Sequence, residues 1–206
     1  MDYKITNERF GIFPCGWWDE AKQVASPNQR PQQTQTIGWV YEYITSERAR
    51  KATFGLRAMP DTATREERSA FKVLNFEYAT FSGIFPYRKA SYIKERTPFL
   101  TIDIDHLESY EAAREVRQMF CQDTMVETAL CFISPSGNGV KWVLMLPEWV
   151  EDLPFKKQFD SMADYVGFTY GLKVDKSGSD VCRACFLPYD PECYVNDKYH
   201  VKLLNY

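Results

Sequence analysis

Apolar and polar positions alternate with two different periods along this chain, and the period changes mark its elements. Phe99-Leu100-Thr101-Ile102-Asp103-Ile104-Asp105 alternates at a period of two, which predicts a strand over about 98–105. On that strand Ile102 and Ile104 point into a core, while Asp103 and Asp105 share the other face. Two more strand patterns, 127–134 and 140–146, flank Pro135-Ser136-Gly137-Asn138-Gly139 and predict a hairpin. Helical spacing predicts helices over 39–51, with Val40, Tyr43 and Ile44 on one face, and from Ser109 to about Phe120, with Ala112, Val116, Met119 and Phe120 together. A further helix starts near Thr64, where Glu67 completes a capping box, and runs toward Leu74. Another spans 155–170 and stops at Gly171. Strand-like segments lie at 75–81, 84–87 and Val181–Leu187. Ser26–Thr36 is polar, punctuated by proline, and reads as a loop.

The order strand, helix, two strands, helix, strand resembles a split βαβ sheet with helices on one face. The expected class is α/β of the α+β type, with a central antiparallel or mixed sheet. An irregular, partly helical N-terminal extension over residues 1–44 would pack on a main domain over 45–206, the two forming one compact unit. At 206 residues the chain is long enough to bury a substantial core. Its formal charge of −3 argues against a broad basic surface for nucleic acid, though not against a local channel. No apolar run approaches the ~20 residues of a membrane span, so no membrane partner is expected. Met1–Phe10 is polar and unlike a signal peptide, which makes the cytoplasm the expected compartment and the six cysteines reduced thiols.

The candidate chemistry centres on Asp103 and Asp105. Adjacent carboxylates repel unless a cation lies between them, and a hard ion such as Mg²⁺ or Mn²⁺ suits a few carboxylates plus phosphate. Ser134, Ser136, Gly137, Asn138 and Gly139 with Lys141 could cradle phosphate through turn amides and an ammonium. Lys141 reads as an exposed residue that contributes little to folding, its ammonium pointing over the loop toward the Asp103/Asp105 face. A two-metal site favours a third acid, for which Asp175 and Asp180 both qualify, and Arg183 could fork onto a phosphate. The third carboxyl is expected within roughly 8 Å of the pair. Cys182, Cys185, Cys193 and His200 have a nominal zinc spacing. A continuous strand would put Cys182 and Cys185 on opposite faces, so buried thiols are expected instead. Aromatic residues such as Trp17-Trp18, Tyr41, Tyr43, Phe76 and Tyr78 belong mostly to the core, with one or two available to stack on bases.

Taken together, Asp103-Ile-Asp105, Ser134-Pro-Ser-Gly-Asn-Gly-Val-Lys141 and Asp175 with Arg183-Ala-Cys-Phe-Leu-Pro-Tyr-Asp190-Pro resemble the VirE N-terminal-domain family of mobile-element proteins, a branch of the archaeo-eukaryotic primase superfamily. The resemblance spans about residues 45–195. It implies a primase-polymerase fold and a metal-dependent nucleotidyltransferase acting in DNA replication of a mobile element. Asp103, Asp105 and Asp175 would be its catalytic metal ligands, and Ser134–Lys141 with Arg183 would hold the nucleotide. A nucleoside triphosphate, a single-stranded DNA template or primer and a helicase-like partner would be its partners. Active members of that superfamily carry histidine where this chain has Lys141. Two alternatives therefore stand beside the enzyme: an inactive module that binds nucleotide or single-stranded nucleic acid, and a glycosyltransferase that uses Asp-x-Asp to hold a nucleotide sugar.

Overall fold

The computed structural model describes residues 7–147 and 152–200. The polar start of the chain, residues 1–6, lies outside the described residues. In chain order the strands are β1 (Phe10–Phe13), β2 (Trp17–Asp19), β3 (Val24–Ser26), β4 (Gln33–Gln35), β5 (Tyr78–Thr80), β6 (Gly83–Ile84), β7 (Glu95–Arg96), β8 (Phe99–Ile104), β9 (Glu127–Ile133), β10 (Val140–Met145), β11 (Cys185–Phe186) and β12 (Tyr194–Val195). The helices are α1 (Ile37–Thr45), α2 (Arg50–Arg57), α3 (Arg65–Asn75), α4 (Tyr110–Cys121) and α5 (Phe155–Tyr170). The fold is α+β and its sheets are antiparallel. None of the described helices is long and apolar enough to cross a membrane.

The central sheet has the order β12-β9-β10-β8, each neighbour antiparallel to the next. β8 and β9 therefore run the same way with β10 between them, joined by the α4 crossover: a split βαβ unit. One face packs Leu100, Ile102, Ile104, Ile133, Trp142 and Leu144 against Val116 and Phe120 of α4 and Phe159 and Val166 of α5. The Phe120 ring stacks on Trp142 with centroids 4.1 Å apart, and the indole N–H donates to Thr128 Oγ1 at 2.8 Å. The other face packs Phe99, Leu130, Phe132 and Val143 against Phe10 and Ile12 of β1 and Ile37, Val40 and Ile44 of α1. Burial on both faces explains the nearly unbroken apolar run of β9.

A second sheet, β11-β5-β1-β4, places the N-terminal strand β1 between β5 and β4. The first forty-four residues are thus partly stranded rather than irregular. The polar segment 26–36 also contains β4, which pairs Gln35 with Phe10 and Gln33 with Ile12. An edge strand needs backbone partners on one side only and tolerates polar side chains, so its pattern resembles a loop.

Several elements differ from their sequence patterns for local reasons. The helix expected over 39–51 breaks at Ser46, which adopts an extended conformation and donates its hydroxyl to Tyr43 C=O at 2.7 Å. The strand expected over Val181–Leu187 shrinks to β11 because Asp180 closes a turn: its C=O accepts from Arg183 N–H at 2.9 Å and its carboxylate from Cys182 N–H at 3.1 Å. On α4 the buried residues are Ala113, Val116, Arg117 and Phe120, whereas Met119 is exposed. The helix is rotated by a buried charge that apolar periodicity cannot register. Other local signals hold: Thr64 and Glu67 form a capping box, and Gly171 ends α5 at φ +66°.

That buried charge is answered by Glu192, which accepts from Arg117 Nη2 at 2.6 Å, and by the more deeply buried Asp190. Its carboxylate accepts from Arg117 Nη1 at 3.1 Å and from Ile133 N–H at 2.7 Å, fixing the end of β9 just before the glycine turn. Breaking a buried pair by removing one partner typically costs about 3–5 kcal/mol. Asp190→Ala is therefore expected to lower unfolding stability by about that amount in denaturant titrations. A loss under about 1 kcal/mol would show that the network is peripheral.

Candidate metal and phosphate site

Alternation on β8 turns Thr101, Asp103 and Asp105 away from α4 and α5, onto the face toward β1. The β10 register sets Lys141 directly opposite Asp103 on that face. Its ammonium donates to Asp103 Oδ2 and lies 3.8 Å from Asp105 Oδ1. β8 ends at Ile104, just before Asp105, and the next residue, His106, takes a left-handed conformation (φ +60°) and is exposed.

The third acid comes from the opposite side of β8. Asp175 N–H donates to Asp103 C=O at 2.9 Å, so the segment after α5 runs along the free strand edge. The Asp175 carboxylate caps a 3₁₀ turn, Lys176–Ser179, by accepting from Ser177 N–H at 3.0 Å and from the Ser177 hydroxyl. Asp103, Asp105 and Asp175 each bring one carboxylate oxygen within 4.8 Å of the others. Asp180, the other acid that the sequence left open, instead binds Cys182 through its N–H and thiol.

Asp103 is buried, and its Oδ1 has no hydrogen-bond partner among the described residues. Burial raises its pKa above the ordinary carboxylate range; Lys141 opposes this, and Asp105 adds to it. For Lys141 the pull of burial is outweighed by the charges of Asp103 and Asp105, so its pKa is raised. Asp175 moves the other way: burial would raise it, but the Ser177 bonds and then Arg183 hold it below the usual range. Two carboxylates thus share one ammonium, a third lies beside them, and among the described residues one buried oxygen is left with no donor.

The glycine turn lies beside these acids. A side-chain carbon on Gly139 would fall 2.5 Å from Ile104 C=O and 3.1 Å from Asp105 Oδ1, so only glycine lets the turn pass this close. Gly137 has φ +88°. Ser134 and Ser136 share a hydrogen bond between hydroxyls at 3.2 Å, and Asn138 C=O accepts from Leu107 N–H at 2.9 Å. Two amides are unavailable to a ligand, because Ser134 N–H and Gly137 N–H bond inside the turn to Gly139 C=O and Ser134 C=O. Arg183 sits in the Asp180 turn rather than on a strand, exposed, with Nη2 3.4 Å from Asp175 Oδ2. A small cleft beside the acids is lined by Phe81, Ser82, Asp103, Lys141, Asp180 and Arg183, among others.

Two placements correct the sequence reading. Lys141 does face Asp103 and Asp105, but it is not exposed: its side chain is 12% exposed and bound to Asp103. Cys182 and Cys185 do not share a strand: Cys182 packs with Phe13, Tyr78 and Phe85, and Cys185 enters the larger core with Phe10 and Leu187. Burial pushes their thiols up to about 11 and about 12. His200, the fourth member of that spacing, bonds to Glu42. Sequence reasoning missed Arg57, which donates to Pro135 C=O at 3.1 Å and Ser134 C=O at 3.3 Å, and Lys72, half-buried on α3 near the acids. Neither has a motif signal, since each depends on how α2 and α3 pack.

Fold and site together define a class: an α+β protein whose split βαβ sheet carries an acidic, lysine-bridged site at the rim of a cleft. The chain belongs to the BT4734-like family, whose N-terminal-domain model matches residues 74–195. This match overturns the resemblance to the VirE N-terminal-domain family, and with it the placement in the primase superfamily. No curated protein and no solved structure matches the chain.

Replacing Lys141 by methionine would keep volume but leave Asp103 buried without its countercharge. Lys141→Met is expected to cost about 3–5 kcal/mol of unfolding stability, in contrast to the near-zero effect of an exposed lysine. Equilibrium denaturation distinguishes the two.

Proposed function

We propose that this protein is a divalent-metal-dependent nucleotidyltransferase. The observation that carries the reading is the orphaned, buried Oδ1 of Asp103 within a group of three converging carboxylates. Such an oxygen lacks a donor that only a hydrogen-bonding group or a cation can supply, and a hard cation is the ligand that three carboxylates favour. Mg²⁺ or Mn²⁺ fits this all-oxygen donor set, whereas the cysteines lie elsewhere.

Asp103, Asp105 and Asp175 hold the ion or ions; bound there, the metal supplies Lewis-acid stabilisation of charge on a phosphoryl group. The Ser134–Gly139 turn, Lys141 and Arg183 border the position of the nucleoside triphosphate. The chemistry is attack by a 3′-hydroxyl on an α-phosphate, with a nucleic-acid strand as acceptor. Hydrogen bonds from Ser177 hold the Asp175 carboxyl below the usual range, which favours its charged form.

A second reading rests on Lys141. An ammonium already seated on Asp103 suits a module that binds nucleotide without turning it over. Calorimetry with Mn²⁺ followed by incorporation of labelled nucleotides separates the readings. The enzyme reading expects Mn²⁺ binding that falls at least tenfold, roughly 1.4 kcal/mol, in the Asp103→Asn, Asp105→Asn double variant, together with metal-dependent incorporation. Binding of metal and triphosphate without incorporation favours the module. Equal Mn²⁺ binding by wild type and double variant would refute the metal site.

A further inference from the structure

A positively charged loop borders the cleft. Between Phe85 and Arg96 the chain carries four basic residues, Arg88, Lys89, Lys94 and Arg96, against one acid, Glu95, although the whole chain has a formal charge of −3. The segment belongs to the β6–β7 hairpin: Gly83 pairs with Arg96, Ile84 with Glu95, and Lys94 N–H donates to Ile84 C=O at 2.9 Å. The hairpin leaves and re-enters the fold at the cleft wall. Ser82, a lining residue, directly precedes β6, and its C=O accepts at 3.2 Å from the N–H of Thr97, which directly follows β7. Phe85 and Ile93, one toward each end of the loop, pack in one apolar cluster with Cys182 and Ala184, the two chain neighbours of Arg183. The loop is therefore held against the same turn that sets Arg183 beside Asp175.

Its cations divide into two kinds. Arg88 and Arg96 turn onto the protein: the Arg88 guanidinium lies over the Tyr78 ring at 5.5 Å, and Arg96 lies over the Phe155 ring at 4.6 Å and donates to Gln158 Oε1 at 3.4 Å. Lys89 and Lys94 are exposed and form no ion pair among the described residues. Between them Tyr92 ends a 3₁₀ turn, Ala90–Tyr92, and is 54% exposed. Its ring rests near that of Tyr87, centroids 5.8 Å apart, and Lys89 Nζ lies 6.0 Å from its centre. An exposed tyrosine alone is ordinary, and so is a lysine on a loop. An exposed ring backed by a second ring, with a lysine on either side in the chain, is the combination that single-stranded nucleic acid engages: cations on phosphates and a ring on a base. A membrane surface would need apolar side chains turned outward, whereas Phe85 and Ile93 pack inward.

We propose that the β6–β7 loop is a single-stranded nucleic-acid interface at the rim of the cleft, with Lys89 and Lys94 on phosphates and the Tyr92 ring stacked on a base. The inference deepens the nucleotidyltransferase reading, and it rests on that reading for the role of the bound strand as acceptor. The strand contacts groups outside the acidic site, so strand and metal are held by different residues. Arg183, between the loop's packing partners and Asp175, marks the path from one to the other.

The test is fluorescence anisotropy of a labelled single-stranded oligothymidylate titrated with the full chain over a series of salt concentrations, with Mn²⁺ calorimetry and thermal unfolding alongside. Lys89→Gln combined with Lys94→Gln is expected to weaken binding by roughly tenfold and to flatten the slope of log affinity against log salt by about 1.4, or ~0.7 for each lost phosphate contact. Tyr92→Ala should weaken binding by roughly fivefold or more with the salt slope unchanged, because stacking releases no counterions. Tyr92→Trp, which keeps a ring, should retain binding, and all these exposed variants should keep the wild-type Tm. Unchanged affinity in the folded lysine and alanine variants overturns the proposal. So does a wild type that binds Mn²⁺ but no oligonucleotide, an outcome that leaves the metal reading intact. Lysine-dependent binding to phosphatidylserine vesicles with no binding of the oligonucleotide would likewise overturn it. Conversely, oligonucleotide binding that depends on Lys89, Lys94 and Tyr92 without any Mn²⁺ binding supports the interface and removes the metal reading.

Discussion

The contact between Lys141 and Asp103 is the constraint around which this site is built. It is a buried ion pair between directly opposed residues of β10 and β8, so the sheet register itself holds the charges together. A buried pair gains little net stability, because desolvation offsets most of the Coulomb attraction. Here the balance is less favourable still. Asp105 shares the same ammonium, Asp175 brings a third carboxylate oxygen within 4.8 Å of the other two, and among the described residues one oxygen of Asp103 has no donor. A fold selected only for stability would place apolar residues at these positions. Retaining three acids and a lysine on a half-covered sheet face is the kind of local conflict that marks a working site.

The rest of the molecule positions that conflict. Asp190 grips Ile133 and Arg117, fixing the end of β9 from which the glycine turn starts. Arg57 braces the turn from the other side. The N-terminal strand β1 and helix α1 cover most of the sheet face that carries the acids, while Phe81, Ser82 and Arg183 edge the opening that is left. The family-matched segment 74–195 carries the three acids and Lys141, whereas β1, β4, α1, α2 and nearly all of α3 precede it.

Much of this was legible in the sequence where the cause is local. Alternation on 99–105, the hairpin around Gly137, the capping box at Thr64 and the stop at Gly171 all depend on neighbours a few residues away. The same locality made Asp103 and Asp105 visible as a pair. Asp175 was harder, since its proximity comes from one amide bonded to the β8 edge. What stayed hidden is long-range. Pairing of β1 with β5 crosses more than sixty residues, Arg117 is buried against Asp190 and Glu192 from far along the chain, and Lys141 looked exposed because its partner lies on another strand. Short shared strings also misdirected the family reading: Asp-x-Asp and a glycine turn are local solutions that different families can reach, whereas the family model weighs the whole of 74–195.

The central claim is that the three carboxylates are a cation site in which Lys141 now supplies the positive charge. The most direct measurement is anomalous diffraction from crystals soaked in Mn²⁺. The account predicts a single strong peak, or a close pair, at roughly 2.0–2.3 Å from oxygens of Asp103 and Asp175, with Asp103 Oδ1 among the ligands and the Lys141 ammonium withdrawn from Asp103. A crystal that shows no anomalous density at the acids, with Lys141 still bonded to Asp103 at saturating Mn²⁺, would contradict it.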